Sequence, residues 1–241
     1  MSFLADILDM ILPPRCIGCG KIISSGGGLC SECFNKLEFI SQPYCRRCGR
    51  PFANGDNLTQ ADFLCGACLK DKKPLFRMSR AAFKYTDRSK QLILAFKFYD
   101  KTENAPTLAQ LMYNAGHDIF AAGVDVIIPI PLHFTRLLKR RYNQSALLAK
   151  ELCKLSGVKV DYTSVVRHRH TRPQVEFSGH DRVKNVKDAF KVKFPARIKG
   201  KRVLLIDDVM TTGSTLKECA LALKKAGAVS VDTLTVARVL S

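Results

Sequence analysis

Two adjacent carboxylates are followed, within a few residues, by a short segment rich in hydroxyl groups. The carboxylates are Asp207 and Asp208, and the segment comprises Thr211, Thr212, Gly213, Ser214 and Thr215. Backbone amides at the start of a helix are unpaired donors that bind phosphate, and glycine lets the backbone approach the anion closely. Carboxylates repel phosphate, so we expect them to accept hydrogen bonds from sugar hydroxyls, each contributing about 1.5–3 kcal/mol. The segment therefore predicts a site for a phosphorylated ribose.

The residues on either side predict the elements that position this segment. Residues 203–206 are four consecutive apolar residues, as in a strand buried on both faces within a parallel sheet. After the hydroxyl groups, apolar residues recur at helical spacing, at Leu216, Cys219, Ala220 and Leu223. We therefore predict that the strand ends at the carboxylates and that an amphipathic helix follows the turn.

The rest of the second half alternates strand-like and helix-like patterns. The predicted strands are 77–85, 124–130, 158–162, 201–206 and 229–239, and the predicted helices include 89–98, 107–120 and 143–155. This alternation predicts an α/β fold, a parallel sheet with helices on both faces. Ligands in such sheets bind at the carboxyl ends of the strands.

A basic segment follows the strand at 124–130 and should lie on the same rim as the carboxylates. Its cationic and polar candidates are Arg136, Lys139, Arg140, Arg141, Asn143 and Gln144. We interpret them as partners for the remaining negative charge of a phosphorylated ligand. The alternative is a basic helix face that contacts only solvent.

A second polar stretch, residues 167–190, is too long and too polar for an ordinary connection. Such stretches are typical of functional loops, so we predict a flap over the rim. Its candidate contacts are Arg169, Arg172, Gln174, Arg182 and Asn185.

Eight of the ten cysteines precede residue 70. They form four Cys-x-x-Cys pairs: Cys16 and Cys19, Cys30 and Cys33, Cys45 and Cys48, Cys65 and Cys68. Both thiolates of such a pair can reach one tetrahedral Zn²⁺, so residues 1–74 predict two structural zinc sites, each adding about 10–16 kcal/mol to folding. Neighbouring pairs could share a zinc, or a cross-brace could join first with third and second with fourth. Residues 75–241 then form the α/β domain.

The net charge of +18 is concentrated in the second domain, where residues 75–241 carry +16 and residues 136–202 alone carry +14. One phosphorylated ribose does not require so much positive charge, so the excess favours a polyanion as a binding partner. If that polyanion is a nucleic acid, its unpaired bases could stack on Tyr142, Tyr162 and Phe177. No apolar run is long enough for a membrane span, and no basic region precedes the N-terminal apolar residues as in a signal peptide. We therefore expect a cytoplasmic protein.

Residues 203–215 resemble the binding motif for phosphoribosyl pyrophosphate (PRPP) in type I phosphoribosyltransferases: four apolar residues, an acidic pair, two apolar residues and Thr-Thr-Gly-Ser-Thr. The chain as a whole resembles the ComF family of competence proteins. The resemblance rests on the cysteine pairs and on four further motifs: Lys97-Phe98, Pro-x-Pro-Leu-His at 129–133, Arg-x-aromatic-Asn-Gln at 140–144 and Arg-x-x-Asn-Val at 182–186. Members of that family usually have glycine where this chain has Arg141, and arginine disfavours a positive-φ backbone there.

The resemblance implies a type I phosphoribosyltransferase-like fold preceded by a double zinc ribbon. It further implies that PRPP, or a related ribose 5-phosphate ligand, binds with Mg²⁺, with its pyrophosphate at the basic segment and the flap over the leaving group. The implied role is handling of single-stranded DNA in natural transformation, together with other competence proteins. An active phosphoribosyltransferase that transfers ribose 5-phosphate to a nitrogen base, and a regulator that senses PRPP, are the alternatives.

Overall fold

A computed structural model describes residues 13–24, 28–52, 63–98, 101–169 and 188–240. Its main sheet has four strands in the order β1-β6-β5-β2, with β1 at Ser79–Lys84, β2 at Val126–Pro129, β5 at Arg202–Met210 and β6 at Ser230–Arg238. All neighbouring strands are parallel. The predicted α/β class with a parallel sheet is therefore confirmed.

Strand β5 is longer than the sequence pattern predicted, and this changes the position of the acidic pair. Pairing with β2 stops at Ile206, opposite Pro129, whereas pairing with β6 continues to Met210. The prediction that the strand ends at the carboxylates is wrong, because the hydrogen bonds to β6 keep the chain extended. Asp207 and Asp208 thus lie on the strand, beyond the last residue of β2, where no strand of the described residues pairs with that side of β5.

Helices cover both faces of the sheet, as predicted. They are α1 at Ser31–Asn35, α2 at Gly66–Lys70, α3 at Asp87–Phe98, α4 at Ala105–Ala115, α5 at His117–Ala121, α6 at Phe134–Arg140, α7 at Gln144–Ser156 and α8 at Ser214–Lys225. Alternate residues of β5 point to opposite faces. Leu204 and Ile206 pack in the core formed with α3, α4 and α7, and Val203 and Leu205 in the core formed with α8. In the described part of the chain, no helix has the length and apolarity to cross a membrane.

The predicted helix at 107–120 is interrupted at Gly116. A β-carbon at this position would lie 2.9 Å from Cδ2 of Leu234 on β6, so a larger residue would have to displace that side chain. The chain forms two helices, α4 and α5, where the apolar pattern predicted one.

A small antiparallel pair stands beside the main sheet, formed by β3 at Val165–Arg167 and β4 at Phe190–Val192. The strand predicted at 158–162 is reduced to one bridge, between Val160 and Ile127. The Asp161 carboxylate accepts the amide of Thr163 at 2.9 Å and thereby closes a turn that ends the extended run.

The cysteine-rich module is built onto the edge strand β1. Phe39 bridges to Phe83 in antiparallel fashion, and the amide of Ile40 donates to the carbonyl of Ala82 at 3.0 Å. The guanidinium of Arg80, which is buried, donates to the carbonyl of Arg46 at 2.8 Å. The division of the chain at residue 74 stays a prediction, and these bonds show that the two parts share one sheet edge.

Candidate functional site

The acidic pair is held by side chains from two different helices. Asp207 Oδ1 accepts the hydroxyl of Ser145 at 3.1 Å and the amide of Asp208 at 3.0 Å. Asp208 Oδ2 lies 2.8 Å from Nζ of Lys97. Burial, together with the charge of Asp208, raises the pKa of Asp207, and Lys97 opposes that shift. The pair therefore combines one carboxylate with a raised pKa and one that forms an ion pair.

The hydroxyl-rich turn lies between the end of β5 and the start of α8. Gly213 has φ of 71° and is the N-cap residue of the helix, and a β-carbon there would lie 2.8 Å from Cε of Met210. The first backbone hydrogen bond of α8 runs from the amide of Lys217 to the carbonyl of Gly213 at 2.8 Å. Amides of the first helical turn have no intrahelical partner, so this end of α8 presents donors to an anion.

The side chains of the turn are partly engaged with one another. Thr212 donates its hydroxyl to Ser214 Oγ at 3.1 Å, and the amide of Ser214 makes a long contact of 3.4 Å with Thr212 Oγ1. Ser214 is buried, Thr211 and Thr215 are half-buried, and Thr212 is exposed. The turn is thus continuous in the chain with the acidic pair, and both are on the carboxyl rim of the sheet.

The basic segment forms α6 and the turn that follows it. Arg141 closes this helix in the left-handed region, with φ of 65°, and its amide donates to the carbonyl of Leu137 at 2.8 Å. A positive φ was not expected for an arginine at this position. The chain adopts it because a residue in the left-handed conformation can end a helix by donating its amide to a carbonyl of the last turn. The side chains of Arg136 and Lys139 lie outside the described part of the structure.

The polar residues after Arg141 contact protein backbone. Asn143 caps α7 by accepting the amide of Ser145 at 3.1 Å, and it donates to the carbonyl of Ile130, after β2, at 3.0 Å. Gln144 donates to the carbonyl of Lys97 at 3.1 Å and accepts from Arg140 at 3.4 Å. A direct pyrophosphate contact by Asn143 or Gln144 stays a prediction, and in this structure both side chains position neighbouring elements.

Two residues at the site were not found as site residues from the sequence. Ser145 and Lys97 both contact the acidic pair. Lys97 was noticed only as part of the resemblance, and no local pattern connects it to Asp208. Ser145 is the second residue of a helix whose N-cap, Asn143, is a typical capping residue, which was the only local signal for this position.

The base of the predicted flap is described, and most of the flap is not. The amide of His168 donates to the carbonyl of Ala189 at 3.1 Å, and the amide of Asp188 donates to Glu218 on α8 at 3.0 Å. The two ends of the stretch therefore meet beside α8. Arg169 is described, and the other flap candidates lie outside the described residues: Arg172, Gln174, Arg182 and Asn185.

The eight cysteines of the N-terminal module gather into two groups of four, each with its sulfur atoms within 4.8 Å of one another. The groups are Cys16, Cys19, Cys30 and Cys33, and Cys45, Cys48, Cys65 and Cys68. Neighbouring pairs thus come together, without a cross-brace. Four thiols at this spacing fit tetrahedral Zn²⁺ with no open position, so the clusters suggest structural zinc sites.

In each cluster, backbone hydrogen bonds favour the thiolate form of one cysteine. Burial raises the pKa of Cys16, but hydrogen bonds from the backbone of Cys30, Cys19 and Gly18 outweigh it and lower the pKa to about 6. At Cys45, burial is likewise outweighed by backbone hydrogen bonds, led by that of Cys48, and the pKa is lowered to about 6. A thiolate is the form of cysteine that binds a metal, so each cluster has a residue prepared for Zn²⁺.

Comparison with known families agrees with both halves of this description. Residues 7–69 match the double zinc ribbon domain, and residues 143–241 match the phosphoribosyl transferase domain. The chain is therefore a phosphoribosyltransferase-like α/β protein with an N-terminal double zinc ribbon.

Curated relatives are similar over nearly the whole chain. Competence protein F of Haemophilus influenzae is 36% identical over 234 residues, which cover 93% of this chain and 96% of that protein. The DNA utilization protein YhgH of Escherichia coli K12 is 31% identical over 96% of this chain and 100% of that protein. Competence protein ComFC of Bacillus subtilis is 27% identical over 86% of this chain and 83% of that protein. The chain belongs to this ComF family, which confirms the resemblance inferred from the sequence.

Proposed function

We propose that the α/β domain binds PRPP, or a related ribose 5-phosphate ligand, at the carboxyl rim of the sheet. The observation that carries the proposal is the continuity of the acidic pair on β5 with the helix start at Gly213. The 5-phosphate would lie on the first amides of α8, where the helix dipole and unpaired donors favour an anion. The ribose hydroxyls would donate to Asp207 and Asp208, whose negative charge excludes a phosphate from that part of the site.

The pyrophosphate would extend toward the basic segment. Arg140 and Arg141 supply cations near the start of α7, and Arg136 and Lys139 precede them in the same segment. The flap candidates would cover the ligand from the other side. This arrangement places positive charge against the most highly charged part of PRPP, because arginine binds phosphate oxygens in a bidentate manner.

Mg²⁺ accompanies PRPP in this proposal as a companion of the ligand. Mg²⁺ requires six oxygen ligands in octahedral geometry and is usually held by one or two carboxylates plus substrate phosphates. Asp207 Oδ1 and Asp208 Oδ2 are already engaged by Ser145 and Lys97. The described residues of this rim therefore offer no complete protein set for the ion, and Mg²⁺ would be held mainly through the diphosphate oxygens.

We further propose that the protein handles single-stranded DNA. Relatives named for competence and for DNA utilization support a role with DNA. The support in this chain is positive charge interleaved with exposed aromatic rings. The guanidinium of Arg197 lies 4.6 Å from the ring centroid of Phe194, whose exposed fraction is 43%. Arg197 also donates to Thr163 at 3.2 Å, next to Tyr162, which is 51% exposed. Exposed rings beside cations are typical of surfaces on which unpaired bases stack.

Calorimetry with Mg·PRPP tests the first part of the proposal. We expect binding by the unaltered protein, lost in Asp207→Asn/Asp208→Asn and kept in Asp87→Asn, which removes an exposed carboxylate at the start of α3. Loss of binding in both variants, or no binding by the unaltered protein, would contradict the proposal that the acidic pair binds the ribose hydroxyls.

Fluorescence anisotropy with a labelled single-stranded oligonucleotide tests the second part. We expect log K to fall with log salt at a slope of about −0.7 for each phosphate contacted. Phe194→Ala should weaken binding by about 1–3 kcal/mol if a base stacks on this ring. Leu221→Ala, which truncates an equally exposed apolar residue on α8, is the matched control and should have no effect.

The phosphoribosyl transferase match at residues 143–241 keeps catalysis as the second candidate function. An active enzyme would release pyrophosphate from PRPP in the presence of one nitrogen base of a panel. Binding of PRPP without product from any base, with DNA binding that changes on adding PRPP, would favour a sensing role.

A further inference from the structure

Lys97 forms an ion pair with Asp208 in a nearly buried position. The Nζ to Oδ2 distance is 2.8 Å, and the side chains are 20% and 12% exposed. Two adjacent carboxylates away from water are unfavourable unless a cation neutralises one of them. Among the described residues, Lys97 is the cation in contact with this pair.

The end of α3 that carries Lys97 is held by residues of the neighbouring motif. The last carbonyls of a helix have no intrahelical partner. Here Gln144, only 1% exposed, donates to the carbonyl of Lys97 at 3.1 Å. The hydroxyl of Tyr142 donates to the carbonyl of Phe96 at 3.0 Å. These two bonds set the position of the lysine relative to the rim.

Each carboxylate of the pair keeps one oxygen for a ligand. Asp207 Oδ1 is taken by Ser145, and Asp208 Oδ2 by Lys97. Asp207 Oδ2 and Asp208 Oδ1 have no protein partner among the described residues. The two engaged oxygens thus decide which oxygens remain to accept sugar hydroxyls.

We propose that Lys97 is a positioning residue that orients Asp208 toward the sugar and thereby determines selectivity for ribose over 2-deoxyribose. This inference rests on the proposed function of the rim. A site built to hydrogen-bond a hydroxyl rejects the analogue that lacks it, because its buried polar group is then left unpaired. Without Lys97, Asp208 would lose the ion-pair partner that orients it, and the missing hydroxyl would then change the affinity little.

The test compares ribose 5-phosphate, 2-deoxyribose 5-phosphate and inorganic phosphate by calorimetry. The unaltered protein should bind ribose 5-phosphate at least about tenfold more tightly than the deoxy compound, the value of one charged hydrogen bond. Lys97→Met should reduce this ratio to below about threefold while leaving the affinity for inorganic phosphate unchanged. Lys101→Met, which removes an exposed lysine paired with Glu103 nearby, should keep the full ratio.

The second comparison is between the single variant Asp208→Asn and the double variant Asp208→Asn/Lys97→Met. The double variant leaves no unpaired buried charge, so it should fold even if Lys97→Met alone does not. If Lys97 acts only through Asp208, both variants should show the same reduced ratio. A further loss in the double variant, or a drop in phosphate affinity in Lys97→Met, would mean that Lys97 contacts the ligand itself and would overturn the inference. So would a full ratio in Lys97→Met. An unaltered protein that binds none of the sugar phosphates would instead overturn the proposed function, and this inference with it.

Discussion

The amide of Ser79 donates to the carbonyl of Arg47 at 2.8 Å, which joins the first strand of the sheet to the third Cys-x-x-Cys turn. The hydroxyl of the same serine lies 3.6 Å from the sulfur of Met210, the last residue of β5. The methyl group of Met210 in turn lies against Gly213 in the hydroxyl-rich turn. The second cysteine cluster is therefore connected to the proposed phosphate site through two residues in contact.

Gly49 gives a direct test of this contact. It has φ of +69°, and a β-carbon there would lie 2.4 Å from the carbonyl oxygen of Ser79. Gly49→Ala should lower the free energy of unfolding by about 2–3 kcal/mol, because left-handed strain of about 1–2 kcal/mol is added to a backbone clash. Gly157→Ala is the control, since its φ is +72° but no atom lies within 4 Å of the added carbon. Denaturant unfolding should show a larger loss for Gly49→Ala; equal losses would mean that the strand and the turn separate freely.

Metal analysis tests the two cysteine clusters. We expect two zinc ions per chain, one in Cys48→Ser and one in Cys19→Ser, because each variant removes a ligand from a different cluster. The thermal midpoint should fall further in Cys48→Ser, since among the described residues it is the turn of the second cluster that is bonded to β1, through Ser79 and Arg80. Retention of two ions in either variant, or equal midpoints, would contradict this division.

Substitution of Arg141 by glycine should not lower the free energy of unfolding, in contrast to most substitutions by glycine. Its φ of 65° costs an arginine about 1–2 kcal/mol, so Arg141→Gly should leave the free energy of unfolding unchanged or raise it by up to about 1 kcal/mol. Lys150→Gly, at an exposed position within α7, should lower it by about 1 kcal/mol. Chemical unfolding of both variants checks the difference in sign. Destabilisation of the same size in both would show that Arg141 is not left-handed in solution.

The acidic pair predicts a pH dependence of stability. Burial, with the charge of Asp208, raises the pKa of Asp207 in the folded state to about 7. A carboxylate with a raised pKa contributes stability below its unfolded pKa, and this contribution is lost as pH rises through the folded value. Stability should therefore fall between about pH 4, near the ordinary pKa, and about pH 7, the folded pKa, more steeply in the unaltered protein than in Asp207→Asn.

Asp125 should contribute a pH dependence of stability with the opposite sign, and it serves as the control. Hydrogen bonds from Arg202 lower its pKa to about 2, so its contribution is present at neutral pH and is lost only as pH falls through that value. Asp125→Asn should therefore leave the neutral-pH slope unchanged and flatten the loss at acid pH. Thermal unfolding across the pH range measures both, and an Asp207→Asn slope equal to that of the unaltered protein would contradict the raised pKa.

Local patterns determined much of this protein, because their causes lie within a few residues. The strand at 203–206, the amphipathic helix after Gly213 and the Cys-x-x-Cys pairs could all be inferred from spacing, and each is present. Burial periodicity and the reach of two thiolates to one metal do not depend on the rest of the fold.

Contacts between distant parts of the chain were decided only by the tertiary structure. The length of β5 depends on pairing with β6, so Asp207 and Asp208 lie on the strand and not after it. Gln144 contacts Lys97 across 47 residues of chain, and Ser145 contacts Asp207 across 62. Such partners depend on how helices pack on the sheet, and no local spacing records that packing. The residue types at the rim were therefore readable from the sequence, whereas the pairing of Asp208 with Lys97 required the fold.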